Sequence, residues 1–289
     1  MFPNSFCNIS YIIKILFLVR NISLVSLIIL FTLCSSLAQR GWEIGGGAGV
    51  SYYFGDLNTR FNLSKPGLSI GAAARYNFNS RICLKFAATY GQVSADDANS
   101  ANVFEKRRNL NFKSNIWDGT AQCEFNFLPY VHGSKDNFFT PYMLAGFSVY
   151  RFNPKGRLNG TWYELSSLGT EGQFRGEEYY TTQVGLAYGG GFKIDLNPDW
   201  SLNLEFSARR LFTDYLDDVS TVYPNVRDLE RSKGTIAAQL SDPSLPDADG
   251  NKLGIEGKQR GNSNTKDTYV FVGVSLMYYF STLDCPKWK

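Results

Sequence analysis

Between Thr268 and Phe280 apolar and small or polar side chains alternate one for one. Thr268, Val270, Val272, Val274, Leu276, Tyr278 and Phe280 share one face; Tyr269, Phe271, Gly273, Ser275, Met277 and Tyr279 share the other. A period of two predicts a strand. The run is longer than the ~5–6 residues of an ordinary strand and suits a tilted membrane strand of about 9–11 residues with its ends. Seven more stretches repeat the pattern: about Trp42 to Phe54, Gly67 to Asn77, Arg81 to Val93, Asn115 to Phe127, Phe139 to Arg151, Tyr180 to Asp195 and Ser201 to Leu211.

The connections alternate in length. Asn77 to Arg81 and Leu196 to Trp200 are tight turns, and Leu128 to Phe138 is moderate. Gly55 to Pro66, Ser94 to Ser114, Phe152 to Tyr179 and Thr213 to Lys266 are long. Eight strands with three short turns at one end and four long loops at the other predict an all-β fold. The expectation is an eight-stranded antiparallel transmembrane up-and-down β-barrel with long extracellular loops and both termini at the short-turn, periplasmic end. Closure pairs every backbone donor and acceptor and leaves no edge in lipid.

One face of these strands is apolar and uncharged. The other is rich in Gly, Ser and Thr and carries Glu43, Arg75, Lys85, Asp118, Glu124, Lys193, Asp195, Glu205 and Arg209. A soluble ligand-binding barrel would invert this arrangement. The charged face is therefore expected inside, as a network of paired charges, because an unpaired buried charge is expensive. Eight strands enclose just enough room for their own side chains, so the lumen is expected to be filled. Glu43 is expected beside Arg75, and Lys193 beside Glu205. Cys83 falls on the inward face and Cys123 on the outward face, which argues against a disulfide between them.

Aromatic residues cluster where the strands end. Trp42, Tyr76, Phe78, Phe127, Phe138, Phe139, Trp200, Tyr278, Tyr279 and Phe280 mark the short-turn end. Tyr52, Tyr53, Phe54, Tyr90, Tyr150, Phe152, Tyr179, Tyr180 and Phe212 mark the loop end. Two such belts are what the two faces of a bilayer select. The predicted partner is thus outer-membrane lipid.

Composition narrows the picture. The chain has 289 residues, 17 Tyr, 22 Phe and 27 Gly, a mix that favours strands and turns. Its net charge of +3, balanced in sign, gives no nucleic-acid footprint. Residues 1–38 are expected to be a signal peptide, with Lys14 and Arg20 before the apolar run SLVSLIILFTLCSSLA and small Ser36 and Ala38 at the cleavage site. An uncleaved anchor is the alternative. The barrel is expected over 39–280 and a periplasmic tail over 281–289.

No catalytic chemistry is indicated. The one histidine, His132, lies in the periplasmic turn. No His and Cys sit at metal-ligand spacing, and Gly45 to Gly49 do not form a dinucleotide loop. No catalytic residue, metal or cofactor is therefore expected. Asp247, Asp249 and Asn251 miss the calcium-loop spacing and are expected to form a plain turn. Asp214, Asp217 and Asp218 are expected to make solvated pairs with Arg209, Arg210 and Arg227. Cys285, in the tail and in an oxidising compartment, is expected to be inconsequential, an intermolecular disulfide partner or a reactive thiol.

The opening strand WEIGGGAGVSYYFGDLN, with Gly55 to Asn58 at its rim, and the ending MYYFSTLDCPKWK resemble the PorG-like outer-membrane barrels of the type IX secretion system of Bacteroidota. The resemblance implies a non-enzymatic component of a protein-export machine. Such a component anchors a periplasmic ring, built from a lipoprotein and its partner subunit, to the outer membrane. On that reading Cys285, Pro286, Lys287 and Trp288 contact the ring, and Cys285 forms a disulfide with a ring subunit. A structural or adhesive barrel binding ligands through its loops is the alternative function.

Overall fold

The computed structural model describes residues 41–280 apart from Arg175. The expected signal peptide and the tail with Cys285, Pro286, Lys287 and Trp288 lie outside the described residues. Nine strands are present: β1 (Gly41–Phe54), β2 (Gly67–Asn77), β3 (Ile82–Asp96), β4 (Asn111–Asn126), β5 (Phe139–Leu158), β6 (Thr161–Glu164), β7 (Thr182–Asp195), β8 (Trp200–Leu211) and β9 (Thr268–Phe280). All but β6 are staves of one closed antiparallel barrel, in the order β4-β3-β2-β1-β9-β8-β7-β5, with β5 returning to β4. The fold is that of a transmembrane up-and-down barrel. β9 closes it against β1, from Trp42 opposite Phe280 to Phe54 opposite Thr268.

The alternation in the sequence is the reason for this closure. Inward residues such as Glu43, Arg75, Cys83, Glu124 and Lys193 are fully buried, while outward Ile44, Leu68, Trp117, Phe147 and Phe206 are exposed. Outward positions of the staves carry no charge until the loop end, where Asp96 on β3, Lys113 on β4, Arg151 on β5 and Arg210 on β8 appear. On β1 the apolar band runs from Trp42 to Phe54. At ~3.3 Å per residue and a tilt of about 40°, that run stands roughly 30 Å tall, the thickness of a bilayer's hydrocarbon core.

The tight turns are built by single Asn side chains. Asn79 Oδ1 accepts from Arg81 N (2.8 Å) and Ile82 N (2.9 Å); Asn197 Oδ1 accepts from Asp199 N and Trp200 N, both at 2.9 Å. Such Asx turns satisfy backbone donors where the ladder stops.

The loop end departs from the expectation. β3, β4 and β5 overrun the barrel, and β5 folds back through Asn159 and Gly160, both at positive φ, to pair with β6. Helices α1 (Val103–Arg108), α2 (Val226–Lys233) and α3 (Thr235–Ser241) lie in stretches expected as loop. Asn102 caps α1 through Phe104 N, and Asn225 caps α2 through Arg227 N and Asp228 N. All are short and stabilised by packing rather than propensity. Together the long loops form a cap with its own core, in which Leu57, Leu110, Phe112, Phe152, Leu216 and Val219 are buried.

Candidate functional site

The lumen and cap hold the protein's buried chemistry. In the lower lumen, Glu43 and Arg75 stand opposite each other on β1 and β2. Arg75 Nη1 donates to Glu43 Oε2 at 2.7 Å, and its Nε lies 2.8 Å from Glu124 Oε2. Its Nη2 reaches Asn203 Oδ1 at 3.2 Å. One guanidinium thus ties β1, β2, β4 and β8 together. Only Arg presents donors in a planar fork that can do this.

Lys193 does not pair with Glu205. Its ammonium lies 2.7 Å from Glu124 Oε2, and Glu205 instead takes Lys85 at 2.6 Å. The expectation failed because Asn203, not Glu205, is the residue opposite Lys193. The lumen is narrow enough for a side chain to prefer a partner across it to a diagonal neighbour on the same hairpin. Cys83 is buried beside Lys193, and Cys123 is exposed on the outer wall.

Higher up, Asp118 accepts from Tyr269 Oη at 2.6 Å and lies 3.5 Å from Arg209 Nε. Between the two tiers is a cavity of about 90 Å³ bordered by Lys85, Glu205, Arg209 and Phe271, room for a few waters. Of the nine charges expected inside, Glu43, Arg75, Lys85, Glu124, Lys193 and Glu205 form a lower cluster of six, Asp118 and Arg209 an upper pair, and Asp195 lies apart at the lower mouth.

His132 was expected only as a turn residue. The turn after β4 instead folds inward and places His132 across the lower mouth. Its Nε2 lies 3.1 Å from Glu43 and its Nδ1 2.9 Å from Asp195; the ring stacks on Tyr279 at 4.2 Å. Tyr130 also bonds Asp195. Tyr279 is thus an inward plug residue, not part of the aromatic belt. Burial on its own would lower the imidazole pKa, but the Asp195 and Glu43 carboxylates outweigh it and raise the pKa to about 9. The folded pKa exceeds the ordinary 6.5, so this stabilisation is complete below about pH 6.5 and is lost as pH rises through 9. The shift corresponds to stability on the order of 3 kcal/mol. The urea midpoint is expected to fall between pH 6 and pH 10, and His132→Gln to flatten that slope; a wild-type midpoint unchanged over this interval contradicts the assignment.

The cap corrects a second expectation. Asp214, Asp217 and Asp218 are not solvated, and they do not pair with Arg209, Arg210 or Arg227. All three are buried. Asp218 accepts from Tyr179 Oη (2.7 Å) and from Thr170, with the Arg260 Nη2 at 3.8 Å. Arg260 Nη1 also binds Glu171 at 3.0 Å. Asp217 bonds the Tyr53 hydroxyl, which lies 3.1 Å from Asp267 as well. Tyr53, Tyr150, Phe152 and Tyr179 accordingly belong to the cap's buried interior rather than to an outer belt. Spacing of charges along a loop carried no hint of this, because the burying surface comes from strand overruns far away in sequence.

Burial raises the carboxyls of the cap: Asp214 to about 7, with the nearby Asp56 charge adding to it, and Asp217 and Asp267 well above the ordinary range, each also raised by neighbouring carboxylates. Raised carboxyls favour the folded cap below their ordinary pKa, and that contribution is lost as pH climbs through 7. Hydrogen exchange in 212–267 is expected to be slower at pH 5 than at pH 8 after correction for intrinsic rates; equal protection would contradict this.

Among the described residues no group of three or more His, Cys, Asp or Glu side chains is placed to hold a metal ion. Asp247 serves its own turn, accepting from Asp249 N (3.0 Å) and Asn251 N (2.8 Å).

A family model described as a domain of unknown function, DUF6089, matches residues 21–233. No curated protein matches the sequence. Among solved structures, the chain is similar to Ail, the attachment invasion locus protein of Yersinia pestis, in complex with the heparin analogue sucrose octasulfate. The identity is 11%, with 84% of this chain and 99% of that chain covered and a TM-score of 0.41. It is also similar to Neisserial surface protein A, at 14% identity, 83% and 97% coverage and a TM-score of 0.40. The outer membrane protein OprG from Pseudomonas aeruginosa gives 12% identity, 85% and 98% coverage and a TM-score of 0.39.

Proposed function

The chain belongs to the DUF6089 family, whose description assigns no function, and from that premise we propose a non-enzymatic outer-membrane barrel that anchors a periplasmic ring complex of a type IX secretion machine. The observation that carries the membrane half of this reading is the inverted barrel: an uncharged apolar band outside, and an ion network inside. In water the outer band would be a large exposed apolar surface, which soluble monomers avoid. In a bilayer it is the required surface.

The secretion half rests on the opening and closing motifs, Trp42 to Asn58 and Met277 to Lys289. The filled lumen also favours it over a pore: a plugged barrel offers adjacent machinery a rigid anchor rather than a passage. β1 begins and β9 ends side by side at the short-turn end, Trp42 opposite Phe280. With that end in the periplasm and the long loops outside, Cys285, Pro286, Lys287 and Trp288, which follow β9 in the sequence, are proposed to contact the ring lipoprotein and its partner subunit.

Non-reducing gels of cells carrying Cys285→Ser test the contact. A high-mass band containing the barrel and a ring subunit is expected in wild type and absent in the variant. A band that persists in Cys285→Ser contradicts the disulfide, and failure of any periplasmic subunit to co-purify with the wild-type barrel contradicts the anchoring role.

A further inference from the structure

The overrun of β4 and β5 past the barrel has two unlike faces. Inward, Phe112, Phe152 and Ile116 pack into the cap core. Outward, the alternation places Lys113 on β4 and Arg151, Lys155 and Arg157 on β5, above the exposed Trp117. Arg151 is the direct cross-strand partner of Trp117, and Lys113 that of Lys155. Like charges directly opposite each other in a sheet are destabilising. Of the four cations only Lys155 has a carboxylate in ion-pair reach among the described residues, Glu164 at 3.3 Å. Lys113 instead lies over the Trp162 ring, 4.1 Å from its centroid, which holds the ammonium on the outer face without neutralising it.

These cations do not stand on a flat wall. A cleft of about 340 Å³ lies at the overrun, bordered by Arg151, Lys155, Asn153, Asn115 and Trp117 and by one carboxylate, Glu164. Asn115 is opposite Asn153; Glu164 accepts from the Asn153 amide at 2.8 Å and pairs with Lys155, which leaves Arg151 as the cleft's cation with no carboxylate in ion-pair reach among the described residues. Guanidinium, ammonium and amide donors around one hollow are the chemistry that binds phosphate oxygens, with Arg able to do so bidentately. The outward-facing members of its border, Arg151, Lys155 and Trp117, stand where the apolar band ends. An occupant therefore approaches along the wall of the barrel, with an apolar part beside Trp117 and an anionic part beside the cations.

We propose that this cleft is a binding site for the phosphate groups of an anionic lipid headgroup in the membrane leaflet at the long-loop end. The site rests on the membrane reading above and adds the chemical class of lipid the barrel selects. Charge complementarity supplies the attraction. Continuity with the apolar band selects a lipid over a soluble phosphate, because acyl chains occupy the wall directly below.

The test uses the full-length protein in mild detergent and native mass spectrometry. Wild type and Lys113→Gln/Arg151→Gln/Lys155→Gln are incubated with bisphosphorylated lipid A, or with phosphatidylcholine, each with and without inorganic phosphate equimolar to the lipid. Insertion into vesicles is followed separately by heat-modifiable gel mobility. Wild type is expected to retain lipid A over phosphatidylcholine, with phosphate failing to displace it. The triple variant is expected to insert normally and lose lipid A retention on the order of a hundredfold, from about fivefold per cation at a charged lipid surface. Equal retention by inserted wild type and variant overturns the site and leaves the membrane barrel standing. Displacement by equimolar phosphate overturns the lipid as its occupant. A wild-type chain that does not insert overturns the membrane reading and this site together.

Discussion

Arg75→Leu is expected to lose about 3–5 kcal/mol of stability, the usual consequence of stranding a buried charge. Arg75 is fully buried and faces two carboxylates, Glu43 and Glu124, that are themselves fully buried. Removing it leaves Glu124 with Lys193 and, 3.9 Å away, Lys85, and leaves Glu43 with His132, Asn77 and Ser201. Arg75→Lys is expected to lose less, because one ammonium can serve one carboxylate but not both along with Asn203. A second change, Glu124→Gln, is expected to recover part of the Arg75→Leu loss, since it removes one of the stranded charges. Urea unfolding of wild type, Arg75→Leu, Glu124→Gln and the Arg75→Leu/Glu124→Gln double variant forms a double-mutant cycle. Additive effects would mean that Arg75 and Glu124 are not coupled in the way their 2.8 Å separation requires.

The second large effect is expected at Gly49. Gly45, Gly47 and Gly49 face inward on β1 opposite β9. A Cβ at Gly49 would lie 2.2 Å from the Val272 carbonyl oxygen and 2.5 Å from Gly273 Cα, both backbone atoms. Backbone cannot swing aside as a side chain does, so one of the two strands would have to retreat. Gly49→Val should then open the β1–β9 seam at a cost beyond the ~1–3 kcal/mol of ordinary overpacking. The folded, heat-modifiable band is expected to be lost or greatly reduced. Gly119→Val is the control. Gly119 faces outward, and its nearest neighbour would be 3.8 Å away. Equal yields from the two variants would show that the seam is not as closely packed as the structure has it.

The barrel was legible in the sequence because its signal is periodic and repeated. Each stave alternates, and strand parity together with loop lengths fixes the up-and-down order. The inward placement of Glu43, Arg75, Lys85, Glu124 and Lys193 followed from the same alternation, because a period-two pattern assigns every residue to one face. Partner choice within the lumen was less legible. Glu43 and Arg75 are in register, whereas Lys85 and Glu205 are 120 residues apart on strands that are not neighbours. Only the closed geometry brings those two together.

The cap was hidden for a different reason. Its burial is made by the overruns of β3, β4 and β5 together with loops scattered over the chain, and none of these carries a long period. Arg108, for example, donates to Asp97 but also to the carbonyls of Asp56 and Arg260. The Asn102 and Asn225 caps were the local signals for α1 and α2, yet each precedes a helix of only six or eight residues. His132 was misplaced by the same kind of limit. A turn residue looks exposed in sequence, and only its contacts with Glu43, Asp195 and Tyr279 reveal a plug.

The central claim is that this wall faces lipid on one side and a filled lumen on the other. Nitroxide labels placed singly from Trp117 to Phe125 on β4, with the native cysteines removed, test it most directly in vesicles. Labels at 117, 119, 121, 123 and 125 are expected to collide readily with oxygen and poorly with a water-soluble nickel chelate. Labels at 118, 120, 122 and 124 are expected to be poorly accessible to both. High nickel accessibility along the odd-numbered positions would contradict the account, because it would place water where the structure requires lipid.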